Sequence, residues 1–204
     1  MTMKFKAGDA VDSAHCTALK HEFLRCEDAF KEFHQCALAM IPAGSADRRL
    51  AYSAYNAYSR FIHHLYEFVI GAIARERGDT ETIRADVAEL YVTSNMQRVL
   101  ARARNAAQTE PANASASGLS AYPEQVPPGF AKEFRRHRNT ANAHVSHERS
   151  RLSLSDFYRD YHLYLYLLYR DCRSWWGLRQ GEFPDLKEIT DFSVQIKAIA
   201  PDKP

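Results

Sequence analysis

Between positions 156 and 176 the chain carries Phe157, Tyr158, Tyr161, Leu163, Tyr164, Leu165, Tyr166, Leu167, Leu168 and Tyr169, an apolar run that surrounds nearly the whole circumference of a helix. Successive residues of an α-helix turn by about 100°, so these side chains point to every side of the axis. A helix apolar all round is expected to be buried all round, at the centre of a bundle or in a subunit interface. Ser153 or Ser155 supplies its N-cap and Gly177 its stop. Its most apolar part, residues 163–169, is far short of the roughly 20 residues that a bilayer span requires, so no membrane partner is expected.

The rest of the chain reads as helices for that one to pack against. From about Val11, the positions Leu19, Phe23, Cys26, Phe30, Phe33, Ala37 and Met40 step by threes and fours until Pro42-Ala-Gly44 ends the pattern. A second helix spans about Asp47 to Arg77, with Leu50, Ala54, Tyr58, Phe61, Leu65, Phe68 and Ile73 inward and Gly78 as its stop. Asp79 then offers an N-cap for a third, from about Thr80 to Ala106, with Ile83, Val87, Leu90 and Val99 inward. Residues 107–128, rich in Ala, Ser and Pro, form a long loop, after which a fourth helix runs from about Gly129 to Asn142 on Phe130 and Phe134. The fold class is therefore all-α, an up-and-down bundle of about five helices over residues 11–176, with 177–204 as a C-terminal extension. Val194, Ile196 and Ala198 alternate with polar residues, as do Met3 and Phe5, so the two ends could pair as a short β-ribbon.

A net charge of +2 excludes a bulk polyelectrolyte binder; the 19 arginines against 8 lysines favour the better reader of phosphate, although a genomic composition bias explains the same ratio. Cys16, Cys26, Cys36 and Cys172 form no C-x-x-C pair; three of them lie ten residues apart on one helix, about 80° apart in rotation, and cannot converge on one metal. Free buried thiols and a polar first ten residues point to a reducing, cytoplasmic setting.

The chemistry concentrates in the stretch RHRNTANAHVSHE, where Arg138-Asn139 is followed a few residues later by His144. Histidine changes charge near neutral pH and can take or give a proton at a ribose hydroxyl. Arginine is always charged, and its planar fork matches phosphate oxygens on which charge accumulates. An arginine, a polar residue, then a histidine at this spacing resembles the active-site signature of the HEPN-domain ribonucleases. Ser146 stands where one large subgroup of that family has a tyrosine two positions after the histidine.

The resemblance implies a metal-independent endoribonuclease acting as a homodimer with a composite active site. The 2′-hydroxyl of RNA would attack the adjacent phosphate to give a 2′,3′-cyclic phosphate, with no cofactor. His144 would move the proton, Arg138 would hold the phosphoryl oxygens, and Asn139 would orient the histidine or the phosphate through its amide. Arg135, Arg136 and His137 would add a local RNA-binding patch, and His147 and Glu67 would stand in support. The family setting implies a toxin or phage-defence effector with an antitoxin or other regulatory partner.

Other chemistries fit less well. His144, His147 and Glu148 belong to one loop and fix no tetrahedron, and neither H-E-x-x-H nor a di-iron Glu-x-x-His occurs, so no metal is expected. His63-His64 with Glu67 reads as a hydrogen-bonded core histidine beside an acid, because adjacent helical residues point 100° apart. The eight glycines form no phosphate-cradling loop. The serious alternative is a non-catalytic helical dimerisation or adaptor module that uses the apolar fifth helix.

Overall fold

Two long helices open the chain and run antiparallel, as their cross-helix ion pairs record. The computed structural model describes residues 4–43, 47–109, 122–140, 152–176 and 187–199. Helix α1 is Ala10–Ala43 and α2 is Arg48–Arg77. Asp12 meets Arg75, Glu22 meets His64 and Glu32 meets Arg60, so each step up one helix is a step down the other. Leu19, Phe23 and Cys26 of α1 are buried against this neighbour, along the three-and-four spacing of the sequence.

Both ends of the pair are fixed by local chemistry. The Asp47 side chain caps α2 by accepting from the N–H groups of Arg49 and Leu50. At the other end Gly78 takes φ 63°, its N–H bonds to the Arg75 carbonyl, and the Asp79 N–H reaches back to the Ala74 carbonyl. That pair of bonds is a Schellman cap, which favours glycine because a Cβ in this conformation is strained. The Phe5 N–H donates to the Gly78 carbonyl at 2.9 Å, and Lys4 and Asp79 form an isolated antiparallel bridge.

Helix α3 (Ala85–Thr109), α4 (Phe130–Arg138), α5 (Leu154–Cys172), a 3-10 turn (Arg173–Trp176) and α6 (Lys187–Ile199) follow. The chain is thus an all-α helical bundle. Helix α2 packs on α1, α3, α4 and α5, and so takes the central place expected of the fifth helix. Phe23 shows how the layers join: it stacks on Tyr169 of α5 and meets Phe68 of α2 edge-on.

Several expectations are corrected. Helix α5 is not buried on every face within one chain: Leu165 and Leu168 are sealed, while Tyr158 and Tyr166 remain 42% and 36% exposed. Helix α3 begins at Ala85, not near Thr80, because Asp79 is already engaged with Lys4 and its carboxylate accepts from the Glu81 N–H in a turn. Its buried stripe is Ala88, Val92, Met96 and Val99, which leaves Leu90 72% exposed on the far side. It also continues to Thr109, three residues into the stretch read as loop.

The terminal ribbon does not form. Val194 and Ile196 lie within helix α6, and the N-terminal segment pairs with the end of α2 instead. A four-residue alternation carries too little information to choose strand over helix. Among the described residues, no helix is long and apolar enough to cross a membrane.

Candidate functional site

Arg138 is the last residue of α4, a helix started by Gly129 and anchored by the buried rings of Phe130 and Phe134. Phe134 meets Tyr66 of α2 edge-on, which lays α4 across the middle of the central helix. One turn beyond Phe134, the Arg138 guanidinium therefore reaches α2. It pairs there with Glu67 through Nε and Nη2, lies 5.8 Å from the centre of the Tyr66 ring, and donates from Nη1 to Asn139 Oδ1 at 2.7 Å. The helix widens into a π-turn at Asn139 and Thr140. Glu67, expected only in support of the motif, is the direct partner of its arginine.

This pair forms one wall of an open cleft of about 370 Å³, whose other lining includes His15, Glu22, Arg25, His63 and Gly71. His15 donates from Nε2 to the Gly71 carbonyl at 2.8 Å. His64 Nδ1 and Glu22 Oε1 are 2.7 Å apart. Burial pushes the Glu22 carboxyl up, but the hydrogen bond to His64 and the charges of His64, Arg25 and His63 outweigh it and hold the group below the usual glutamate range. Burial, reinforced by the charge of His64, lowers the proton affinity of His63, despite the opposing pull of Glu67. The cleft thus holds two guanidiniums, two carboxylates and two imidazoles, of which His63 is biased toward the neutral form. Such a set can bind a phosphoryl oxygen and exchange a proton near neutral pH.

No known family model, curated protein or solved structure matches the chain. The site stands on its own geometry.

Arg135, Arg136 and His137 of α4 do not form the shared patch expected of them. Arg135 turns to α3 and binds Glu89 through Nε and Nη2, at 3.0 and 2.7 Å. Arg136 points outward and contacts Glu133 at 3.3 Å. His137 is 3% exposed: its ring stacks on Phe157 with centroids 4.0 Å apart, and Nδ1 bonds to the Glu133 carbonyl. It is a core residue, so its assignment to an RNA-binding surface is withdrawn. Consecutive helical residues diverge by 100°, which sends these side chains to different neighbours. Each arginine of α4 carries a carboxylate partner, so the local positive field is weaker than the sequence suggests.

His144 and His147 lie outside the described residues, as does Glu148. Sequence reasoning missed His15, Glu22 and Arg25, which come from α1. The signal that finds them is register: in an antiparallel pair with a turn near residue 45, a residue about 22 positions before the turn lies opposite one about 20 after it. Counting outward equally from about residue 43, on which the Asp12–Arg75 and Glu22–His64 pairs centre, leads from His64 to Glu22.

Proposed function

We propose that the chain is a metal-independent endoribonuclease of the HEPN type. The observation that carries the reading is the seating of Arg138: the arginine of the Arg-Asn…His signature is held by Glu67, 71 positions away, on the wall of an open cleft lined by histidines. A guanidinium merely complementing a helix C-terminus needs no partner from the central helix. One fixed in a cleft by a carboxylate is oriented for a second, stronger acceptor such as a phosphate.

The reaction follows from the residue types. The ribose 2′-oxygen attacks the adjacent phosphorus, the new P–O2′ bond forms as the P–O5′ bond breaks, and the products are a 2′,3′-cyclic phosphate and a 5′-hydroxyl. His144, or its mate in a second subunit, takes the 2′ proton or protonates the leaving 5′-oxygen. Arg138 stabilises charge on the non-bridging oxygens, and the Asn139 amide, already on Arg138, fixes the fork of that guanidinium. Two copies in a homodimer would bring two such sets to one strand of RNA. A ribonuclease of this kind harms its host unless restrained, which supports a cytoplasmic toxin or phage-defence role under an antitoxin or other regulator.

The test is cleavage of labelled single-stranded RNA in the presence of chelator by wild type, Arg138→Ala and His144→Ala. Cleavage by wild type alone, ending in a cyclic phosphate and sparing a 2′-deoxy substrate, is the expected result. Equal cleavage by all three proteins overturns the site. No cleavage by wild type overturns the activity and favours a dimerisation or adaptor module. That second reading is supported by the exposed Tyr158 and Tyr166 on α5 and the exposed Ile189, Phe192, Val194 and Ile196 on α6.

A further inference from the structure

Halfway along the α1–α2 pair, Glu22, His63 and His64 bring one carboxylate and two imidazoles together, each half-buried, with one ligand atom from each lying within 4.8 Å of the others. Adjacent histidines on a helix diverge by about 100°, and their rings here stand at 83° with centroids 5.2 Å apart. They share a focus only because the facing helix places Glu22 between them. His64 already touches that carboxylate at 2.7 Å. His63 Nδ1 is buried and has no hydrogen-bond partner among the described residues. A buried ring nitrogen in that state is unfavourable unless something else engages the imidazole.

We propose that Glu22, His63 and His64 bind a divalent transition cation of the zinc class. Two imidazole nitrogens and one carboxylate oxygen form a three-ligand set that zinc accepts while keeping a fourth position open. In a tetrahedral site with bonds near 2.1 Å, the ligand atoms sit about 3.4 Å apart, so separations of at most 4.8 Å leave a closure on the scale of side-chain rotation. Two of the ligands, Glu22 and His63, line the open cleft, which leaves a path for the ion and room for a water or anion in the fourth position. The competing cation, Arg25, lies 3.8 Å from Glu22 with its side chain 54% exposed, and it can swing into solvent. Magnesium and calcium favour all-oxygen ligands and fit this donor set poorly.

The bound ion would tie α1 to α2 at mid-length and add positive charge to the cleft that holds Arg138 and Glu67. The site stands independently of RNA cleavage, because neither histidine in it belongs to the Arg-Asn…His signature.

The test is calorimetric titration of the chelator-treated full chain with zinc alone, together with the absorption spectrum of the cobalt-substituted protein. One ion per chain, a tetrahedral cobalt spectrum without a thiolate charge-transfer band, and a raised melting temperature are expected. His63→Gln and His64→Gln should each weaken zinc binding at least tenfold, whereas the double variant His144→Ala/His147→Ala should bind as wild type does. His63→Gln decides the matter if His64→Gln fails to fold, since His63 Nδ1 holds no hydrogen bond that the fold would lose. Unchanged affinity in His63→Gln, a thiolate band, or magnesium binding as tight as zinc overturns the proposal.

Discussion

Glu67 of α2 and Arg138 of α4 meet side chain to side chain, Nε and Nη2 both directed at one carboxylate oxygen. Both side chains are about one-third exposed, at 31% and 30%, so the pair is screened and contributes at most about 1 kcal/mol to stability. Under the ribonuclease activity proposed above, its value is orientation. Glu67→Gln should change the melting temperature little while reducing RNA cleavage about tenfold or more, because the guanidinium loses the group that aims it. Arg138→Ala should reduce cleavage by about 10² to 10³-fold, the usual loss when a group stabilising transition-state charge is removed. Arg138→Lys should not restore activity, since a point charge cannot replace the fork. Rate measurements beside thermal melts check this; a Glu67→Gln variant with full activity would remove the orienting role.

His137 gives a prediction of the opposite kind, about stability and not activity. Burial, only partly opposed by its hydrogen bonds to the Glu133 and Ser153 carbonyls, lowers its proton affinity in the folded state. Above the ordinary histidine value of about 6.5, neither state is protonated and its contribution is fully present. As pH falls below that value the unfolded chain takes up a proton that the folded chain refuses, so stability declines down to the depressed folded value. Burial lowers His162 and His63 in the same direction, and they add to the slope. Urea midpoints at several pH values between 7.5 and 5 should fall with pH. His137→Phe, which keeps a ring against Phe157, should flatten that fall.

Asp12 extends the pH dependence to acid. Its hydrogen bonds with Arg75, at 2.7 and 3.2 Å, followed by the Gly8 N–H, hold its carboxyl well below the usual aspartate range. The folded-state value is depressed, so the stabilisation is present above about pH 4 and is lost as pH falls toward the folded value. Asp12→Asn should therefore be less stable than wild type at neutral pH and should converge with it in strong acid. Parallel acid-unfolding curves for the two proteins would show that the pair does not bridge α1 and α2 in solution.

The helices were legible wherever many residues spoke at once. Over α1 and α2, seven inward positions each kept the helical period, and Gly78 marked the end of α2. Short signals misled. The alternation of Val194, Ile196 and Ala198 is compatible with either period, and α6 is a helix. Leu90 was assigned inward by hydrophobicity, but helix phase put Ala88 and Val92 there instead. In the site, Arg138 and Asn139 were readable because their chemistry is local. Glu22 was not, because only the register of two helices brings it to His64, and neither helix alone carries that information. His137 shows the reverse error, a polar residue read as surface that packs as a core ring against Phe157.

Tyr58 and His162 pair across the aromatic layer between α2 and α5, with the hydroxyl 3.0 Å from Nδ1. Burial pushes the Tyr58 hydroxyl well above its ordinary range, so it remains a donor at any physiological pH. Tyr58→Phe keeps the ring but leaves the imidazole nitrogen unsatisfied, at a cost of about 1–3 kcal/mol. His162→Phe in the same background removes both polar groups and should recover much of that loss. A double-mutant cycle by chemical denaturation measures the coupling, and additive losses would show that the hydrogen bond is not made in solution.

Gly78 and Gly129 both take positive φ, 63° and 86°, but their surroundings differ. An alanine Cβ at position 129 meets nothing within 4 Å, so Gly129→Ala should cost only the strained backbone conformation, about 1–2 kcal/mol. At position 78 the same atom would lie 2.9 Å from the Phe5 carbonyl oxygen, a backbone atom that cannot rotate away. Gly78→Ala must therefore pay the conformational cost and also push the N-terminal segment off the end of α2, taking with it the Phe5 N–H bond to the Gly78 carbonyl and the Lys4–Asp79 bridge. The expected outcome is a larger loss of stability for Gly78→Ala than for Gly129→Ala, together with faster amide exchange at Phe5 in the first variant alone. Equal losses with unchanged exchange at Phe5 would mean that the N-terminal segment does not hold the cap of α2.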